Sequence, residues 1–118
     1  MRLTGEALKN MIRKPFTQMY PKVKPLIPDG YRGMVEHDAK KCIYCGLCAK
    51  NCPSNAIEVD MKKGIWKFDL GRCLHCSQCE ETCRLVVRKN AITMNMEFEH
   101  ADRKKHNFIT LHKRGGKW

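Results

Sequence analysis

The chain has 118 residues, the size of one small domain, and no apolar run approaches the roughly 18 residues that a transmembrane helix needs. Its formal net charge of +11 favours acidic partners or surfaces. Eight cysteines in so short a chain indicate metal sites or disulfides, because a core this small buries little apolar area.

Residues 3–14 are predicted to form an amphipathic helix. Apolar side chains recur at helical spacing on one face, namely Leu3, Ala7, Leu8, Met11 and Ile12. Lys9, Arg13 and Lys14 lie toward the other face and the carboxyl end. A basic amphipathic helix suits a membrane surface or a groove on a partner. Packing on its own domain is the alternative, but the small core predicted below offers little surface for it.

Residues 15–33 are predicted to be extended. The segment holds four prolines, Pro15, Pro21, Pro25 and Pro28. Prolines at this density exclude a helix and favour a polyproline-like chain. Phe16, Met19 and Tyr20 lie among them, so the segment is either a flexible linker or an arm that lies along the surface of a partner.

All eight cysteines fall in two runs of identical spacing. The first run is Cys42, Cys45, Cys48 and Cys52, and the second run is Cys73, Cys76, Cys79 and Cys83. Each cysteine of the first run recurs 31 residues later, so the segment is an internal repeat. The spacing C-x2-C-x2-C-x3-C is the one by which bacterial ferredoxins ligate iron–sulfur clusters.

The fourth cysteine of each run is predicted to ligate the cluster of the other run. Pro53 ends the short helical turn after Cys52, so that sulfur faces away from its own loop. In two-cluster ferredoxins the fourth cysteine binds the other cluster. One [4Fe–4S] cluster is therefore assigned to Cys42, Cys45, Cys48 and Cys83. The second [4Fe–4S] cluster is assigned to Cys73, Cys76, Cys79 and Cys52.

Two other uses of the cysteines were weighed. Structural zinc sites usually take cysteines in pairs, and a third cysteine two residues after a pair fits one tetrahedral ion poorly. A disulfide framework needs an oxidising compartment, whereas residues 1–15 lack the apolar core of a signal peptide. We therefore expect metal ligation in a reducing, cytoplasmic setting.

Short strands are predicted on either side of the cysteine runs, over residues 34–36, 55–61, 66–70 and 91–94. With a short helix after each cluster loop, the order is strand, helix, strand, twice over. This order predicts an α+β fold, the two-cluster ferredoxin-like core with pseudo-two-fold symmetry. The core spans residues 34–96, preceded by a helix and proline-rich docking arm (1–33) and followed by a basic tail (97–118).

The second half of the repeat departs from the first after its last cysteine. Cys52 and Ala56 are four residues apart, whereas Cys83 and Ala91 are eight residues apart. Four extra residues amount to about one helical turn, so the second helix is expected to continue to about Arg88. Of the eight cysteines, Cys83 is consequently the one whose side-chain direction the spacing determines least.

The five histidines and the C-terminal residues are not expected to be cluster ligands. His75, between two cysteines, is expected to be a neighbour that hydrogen-bonds a sulfur, not a ligand. The other four histidines are predicted to be surface residues: His37, His100, His106 and His112. Residues 97–118, which end in Trp118, are predicted to form either a solvated tail or a second docking arm.

The cysteine runs and the arm before them resemble a known family over residues 1–96. The stretches that carry the resemblance are Arg13-Lys14-Pro15-Phe16-Thr17, Tyr20-Pro21, Tyr31-Arg32-Gly33 and Lys41-Cys42-Ile43-Tyr44-Cys45-Gly46-Leu47-Cys48. They are similar to the two-cluster ferredoxin-like subunits of complex I and of its relatives, the energy-converting membrane-bound [NiFe] hydrogenases. The short length looks more like the hydrogenase members.

The resemblance implies a peripheral subunit on the cytoplasmic face of the cell membrane, which it would contact through residues 3–14. Single electrons would pass from reduced ferredoxin or a donor subunit, through two [4Fe–4S] clusters, to a cluster-bearing small subunit. A related sulfur-, quinone- or methanophenazine-reducing complex is the alternative host. No catalytic group of the chain's own is evident.

Two further classes were considered and disfavoured. Free soluble ferredoxins are usually acidic, whereas residues 1–41 and 97–118 together hold fifteen Lys and Arg against seven Asp and Glu. A cluster-stabilised nucleic-acid-binding protein would explain the basic balance. The basic residues flank proline-rich chain instead of a groove-reading motif, so no nucleic-acid partner is expected.

Overall fold

The computed structural model describes residues 2–117, with side chains described for residues 3–115. Met1 and Trp118 lie outside the described residues. The helices are α1 (Arg2–Ile12), α2 (Leu47–Lys50) and α3 (Gln78–Glu81), and α3 continues as a π-helical turn over Thr82–Val87. The strands are β1 (Val35–His37), β2 (Ile57–Asp60), β3 (Ile65–Asp69), β4 (Ile92–Met94), β5 (Ile109–Lys113) and β6 (Gly116–Lys117).

The strands form two antiparallel sheets that follow the internal repeat. β1 pairs with β4, and β2 pairs with β3 through the turn at Gly64. Each half of the repeat, β1–α2–β2 or β3–α3–β4, therefore pairs both of its strands with strands of the other half, as pseudo-two-fold symmetry requires. The predicted α+β, ferredoxin-like core is confirmed, with strand ends within two residues of the expected ones.

The core of the domain is small and lies between the sheets and the cysteine loops. The larger buried side chains are Tyr44, Ile57, Trp66, Phe68 and Ile92, and Ala56 and Ala91 fill the narrow places. Strand β3 contributes Trp66 and Phe68 from the same face, as expected for residues two apart on a strand.

The helix after the second cysteine run continues as predicted, but in a wider form. Residues Thr82–Val87 make a π-helical turn, and Arg88 ends it in the left-handed conformation with φ of 55°. Single π turns inside helices are insertions that commonly occur at functional sites. The four extra residues of the second half are thus accommodated between Cys83 and Ala91.

The N-terminal helix and arm have the predicted local structure, and they leave their apolar residues uncovered. All described side chains from Leu3 to Lys24 are exposed. The arm nevertheless contacts the rest of the chain: Tyr20 hydrogen-bonds Glu99, beyond the core, and Gly33 N–H donates to Asn95 O, within it, at 3.0 Å. A Cβ on Gly33 would lie 2.3 Å from that oxygen, so only glycine fits this close approach.

The C-terminal segment is not a free tail, and this expectation was wrong for residues 109–113. β5 pairs with β3 along its whole length, from Ile65 opposite Lys113 to Asp69 opposite Ile109. In this strand Thr110 and His112 share one side, on which His112 is buried, whereas Ile109 and Leu111 lie on the other side and remain exposed. None of the helices within residues 2–117 has the length and apolar character needed to cross a bilayer.

Candidate iron–sulfur sites

The eight cysteines line two cavities, and each cavity combines three cysteines of one run with the fourth of the other. The first cavity is lined by Cys42, Cys45, Cys48 and Cys83. The second cavity is lined by Cys52, Cys73, Cys76 and Cys79. They are similar in size. This grouping supports the crossed ligand sets, which we retain as a proposal.

The first cysteine of each run accepts a hydrogen bond from the backbone two residues later. The Tyr44 nitrogen lies 3.3 Å from Cys42 Sγ, and the His75 nitrogen lies 3.4 Å from Cys73 Sγ. Tyr44 and His75 both have a positive φ, 58° and 51°. This left-handed conformation, uncommon for residues with a side chain, turns each loop back on itself so that the N–H faces the sulfur.

The fourth cysteine of each run is held in the same way despite the unequal spacing. The Ala56 nitrogen lies 3.3 Å from Cys52 Sγ, and the Ala91 nitrogen lies 3.3 Å from Cys83 Sγ. Equal distances across four and eight residues mean that the π-helical turn absorbs the insertion without moving the sulfur away from its donor. The Cys83 sulfur therefore keeps the backbone N–H donor that the Cys52 sulfur has in the other half.

A hydrogen bond joins the two halves next to their fourth cysteines. Asn51 Nδ2 donates to Thr82 Oγ1 at 3.1 Å, and Thr82 Oγ1 donates to Gln78 O at 2.8 Å. Asn51 and Thr82 occupy equal places in the repeat, each directly before a fourth cysteine. The bond between them fixes α2 against α3 and so sets how far each run reaches into the other cavity.

Burial and hydrogen bonding act in opposite directions on the thiols. Burial raises the pKa of Cys48 to about 11 and that of Cys79 to about 12. At Cys52 burial also raises the pKa, but hydrogen bonds from Ser54 and from the Ala56 backbone outweigh it, so that pKa is lowered. Most of these thiols need a metal to displace their protons, so metal loading must release protons.

The residues around the cavities fit [4Fe–4S] clusters. Each cavity offers four thiols, and the N–H groups described above already point at sulfur. The Trp66 indole nitrogen, also at the first cavity, is buried and forms no hydrogen bond of ordinary length within the described chain. Such a donor requires an acceptor, and the sulfurs of a cluster are acceptors. None of the eight cysteines, all within residues 2–117, is in a disulfide.

One histidine that was predicted to be a surface residue, His112, is buried, and another, His37, is half-buried. His112 is only 9% exposed, and the His37 ring stacks on Trp66 with centroids 4.0 Å apart. His100 and His106 are exposed, as expected. Sequence reasoning missed His112 because the strand that buries it was not predicted, and the alternation in residues 109–113 would have placed His112 on the side opposite Ile109 and Leu111.

Comparison with known proteins identifies the domain and its relatives. The family described as 4Fe-4S dicluster domain matches residues 41–87. Subunit I 2 of the NADH-quinone oxidoreductase of Geobacter metallireducens is 32% identical over 115 residues, which cover 91% of this chain and 88% of that protein.

Two other similarities are more partial. Subunit I of the F420H2 dehydrogenase of Methanosarcina mazei is 40% identical over 53 residues, which cover 45% of this chain but 30% of that protein. The solved structure of the membrane-bound sulfane sulfur reductase, an archaeal respiratory membrane complex, includes a chain that matches with a TM-score of 0.56 at 29% identity. That match covers 80% of this chain and 51% of the other.

These similarities agree with the geometry of the two cavities. The cofactors of the chain are two [4Fe–4S] clusters, as the matched domain and the eight cysteines indicate. The chain belongs to the family of NADH-quinone oxidoreductase subunit I, the two-cluster subunits of complex I-like oxidoreductases.

Proposed function

We propose that this chain relays single electrons through two [4Fe–4S] clusters as a peripheral subunit of a complex I-like oxidoreductase. The observation that carries the proposal is the pair of four-cysteine cavities within one small domain. When bound, such clusters supply one-electron redox chemistry. In this proposal the task of the chain is to hold and tune the clusters.

The residues around the cavities set the spacing of the clusters and their access to water. The Asn51–Thr82 bond fixes the two helices, and Val59 and Ile92 give the first cavity an apolar wall. Ile57 and Phe68 do the same for the second cavity. An apolar wall lowers the local dielectric, and hydrogen bonds to sulfur offset the negative charge that reduction adds.

The N-terminal segment serves in this proposal to dock the subunit. Leu3, Met11 and Ile12 on α1 are 85%, 84% and 86% exposed, and Phe16 and Leu26 on the arm are fully or almost fully exposed. So many uncovered apolar side chains in one short segment indicate a surface that another molecule covers. The basic residues of α1 favour a bilayer with anionic lipids, and the arm favours a neighbouring subunit.

We further propose the membrane-bound [NiFe] hydrogenase type as the host complex. In that complex reduced ferredoxin or a donor subunit supplies electrons, and a cluster-bearing small subunit accepts them. The arm, which resembles that of the family to which these hydrogenase subunits belong, supports this choice. The site would be the cytoplasmic side of the cell membrane, with α1 as the peripheral contact.

A sulfur-reducing complex is the second candidate, because the sulfane sulfur reductase structure contains a chain of similar fold. Purification of the native complex under anaerobic conditions separates the two candidates. Hydrogen evolution from reduced ferredoxin and a [NiFe] large subunit in the preparation support the first. Sulfane sulfur reduction without hydrogen evolution supports the second, and a chain that purifies alone contradicts both.

The docking role is tested by deletion of residues 1–30. The deletion removes α1 and most of the arm but keeps Gly33, whose bond to Asn95 anchors the core. Both clusters should assemble as in the wild type, whereas the amount of subunit recovered with the membrane complex should fall at least tenfold. EPR spectroscopy of the subunit and immunodetection in washed membranes measure the two effects.

A pair of point variants controls for the length of that deletion. Leu3→Ser, Leu8→Ser, Met11→Ser and Ile12→Ser together remove the apolar face of α1 and should release the subunit almost as completely as the deletion. Glu6→Ser changes the opposite face of α1 and should leave the subunit bound. Normal recovery of the deleted subunit in the complex would refute the docking role.

A further inference from the structure

Three segments far apart in sequence meet beside the first cavity. Trp66 on β3 lies opposite His112 on β5, and the His37 ring on β1 packs against both of these rings. The rings of His37 and Trp66 are parallel within 6° at a centroid distance of 4.0 Å. His37 Nδ1 and His112 Nδ1 are 2.7 Å apart, so one imidazole donates to the other. The indole is therefore held in a fixed plane.

The N–H of this fixed indole lacks a close acceptor among the described residues. Trp66 is 1% exposed, and its Nε1 makes no hydrogen bond of ordinary length there. A buried donor without an acceptor is destabilising. Trp66 lines the first cavity together with Cys48; burial raises the pKa of the Cys48 thiol, and the interaction of Trp66 with that sulfur lowers it by a smaller amount. The acceptor that the indole faces is therefore a sulfur position of the first cavity.

The second cavity contains no equivalent donor from the same strand. Phe68, two residues after Trp66 on the same face of β3, lines the second cavity and carries no N–H. One strand thus places a ring with a donor at the first cavity and a ring without one at the second. The backbone donors of the two cavities are matched, so the cavities differ in their side-chain donors: the Trp66 indole at the first, and the Ser54 hydroxyl, 3.6 Å from Cys52 Sγ, at the second.

We propose that the indole N–H of Trp66 donates a hydrogen bond to a sulfur in the first cavity and thereby raises the reduction potential of the first cluster. The inference rests on the proposed ligand set of the first cavity. Reduction adds one negative charge to a cluster, and a hydrogen bond to its sulfur stabilises that charge. His37 and His112 act as positioning residues that keep the indole aimed at the cavity.

His37 contributes geometry and no charge near neutral pH. Burial is the main cause that lowers the pKa of His37 to about 4, and the nearby His112 lowers it further.

The first test is the variant Trp66→Phe, which keeps an aromatic ring and removes the N–H. The equilibrium constant for reduction of the first cluster should fall about two- to tenfold, from the usual net value of one hydrogen bond. EPR-monitored redox titration of the anaerobically purified subunit measures both clusters, and the second cluster should be unchanged. Trp118→Phe is the matched control, since it removes the indole of the other tryptophan in the chain, and it should leave both potentials unchanged.

The second test detects the hydrogen bond directly and does not depend on the stability of a variant. Tryptophan labelled with ¹⁵N at the indole is incorporated into the chain with Trp118→Phe, so that only Trp66 is labelled. Pulsed EPR of the reduced protein should show ¹⁵N and exchangeable-proton couplings on one cluster signal only. Absence of both couplings from an intact first cluster would overturn the proposal, as would coupling to the second cluster.

The positioning role has its own readout. His37→Phe keeps the stacked ring but removes the link to His112, so the potential of the first cluster should fall by less than in Trp66→Phe, and in the same direction. An unchanged potential would show that the His pair does not aim the indole.

The variant Cys83→Ser separates this proposal from the ligand assignment. If that variant alters the EPR signal of the second cluster instead of the first, the proposed ligand set is wrong. The labelled coupling would still report which cluster Trp66 contacts.

Discussion

The two halves of the internal repeat use one backbone plan with different side chains. Gly46 and Ser77, at equal places before α2 and α3, both adopt positive φ, 76° and 63°. The donors to the first and fourth cysteines of each run are also matched, within 0.1 Å. The backbone therefore makes two equivalent cluster sites, and what distinguishes them must lie in the side chains around each.

Those side chains differ in charge as well as in hydrogen bonding. The C-terminal segment places the Arg114 guanidinium 5.3 Å from the Tyr44 ring centroid and its Nη2 3.4 Å from Ile43 O, in the loop of the first cavity. On the other side, Glu80 and Glu81 lie in the first turn of α3, next to Cys79. Cations favour reduction of a cluster and anions oppose it. The first cluster should accordingly have the higher potential, and the proposed Trp66 hydrogen bond acts in the same direction.

The largest expected difference between the halves comes from removal of one fourth cysteine at a time. Cys52→Ser should damage the cluster of the second cavity, and Cys83→Ser that of the first, because each sulfur lines the cavity of the other run. EPR spectra of the reduced variants identify the signal that is lost or altered. Ser54→Ala, which removes a contact to Cys52 but no ligand, is the control and should keep both signals. Loss confined to the run's own cavity would refute the crossing.

A smaller effect is expected from the acidic residues of α3. Glu80→Gln with Glu81→Gln should raise only the lower of the two potentials, because the removed charges lie beside the second cavity. Partly exposed charges are screened, so the equilibrium constant for reduction should rise no more than about threefold. Glu6→Gln with Asp29→Asn makes the same change in net charge on the N-terminal segment and should shift neither potential. Movement of the higher potential in the α3 variant would count against the charge argument.

Much of the core could be predicted because its information is local. The spacing of the cysteines determines which of them share a loop, and Pro53 and the alternation around Val59 delimit the helix and strand that follow. The length of the second helix also followed from counting residues between Cys83 and Ala91. Its π form did not, because the choice between two helical hydrogen-bond patterns depends on where the Cys83 sulfur must point.

The features that sequence did not reveal are non-local. Residues 109–113 form a strand because β3 offers an unpaired edge beside Trp66, and nothing near that segment announces the pairing. The burial of His112 follows from that pairing, and with it the contact to His37. The Asn51–Thr82 bond could have been suspected from their equal places in the repeat, but their meeting required the fold.

The central claim is that the eight cysteines hold two [4Fe–4S] clusters with different potentials. Metal and sulfide analysis of the anaerobically purified subunit, combined with a redox titration by EPR, tests it most directly. The account predicts about eight iron and eight labile sulfide per chain, no stoichiometric zinc, and two one-electron reductions at separate potentials. Zinc in place of iron, with no labile sulfide, would contradict it.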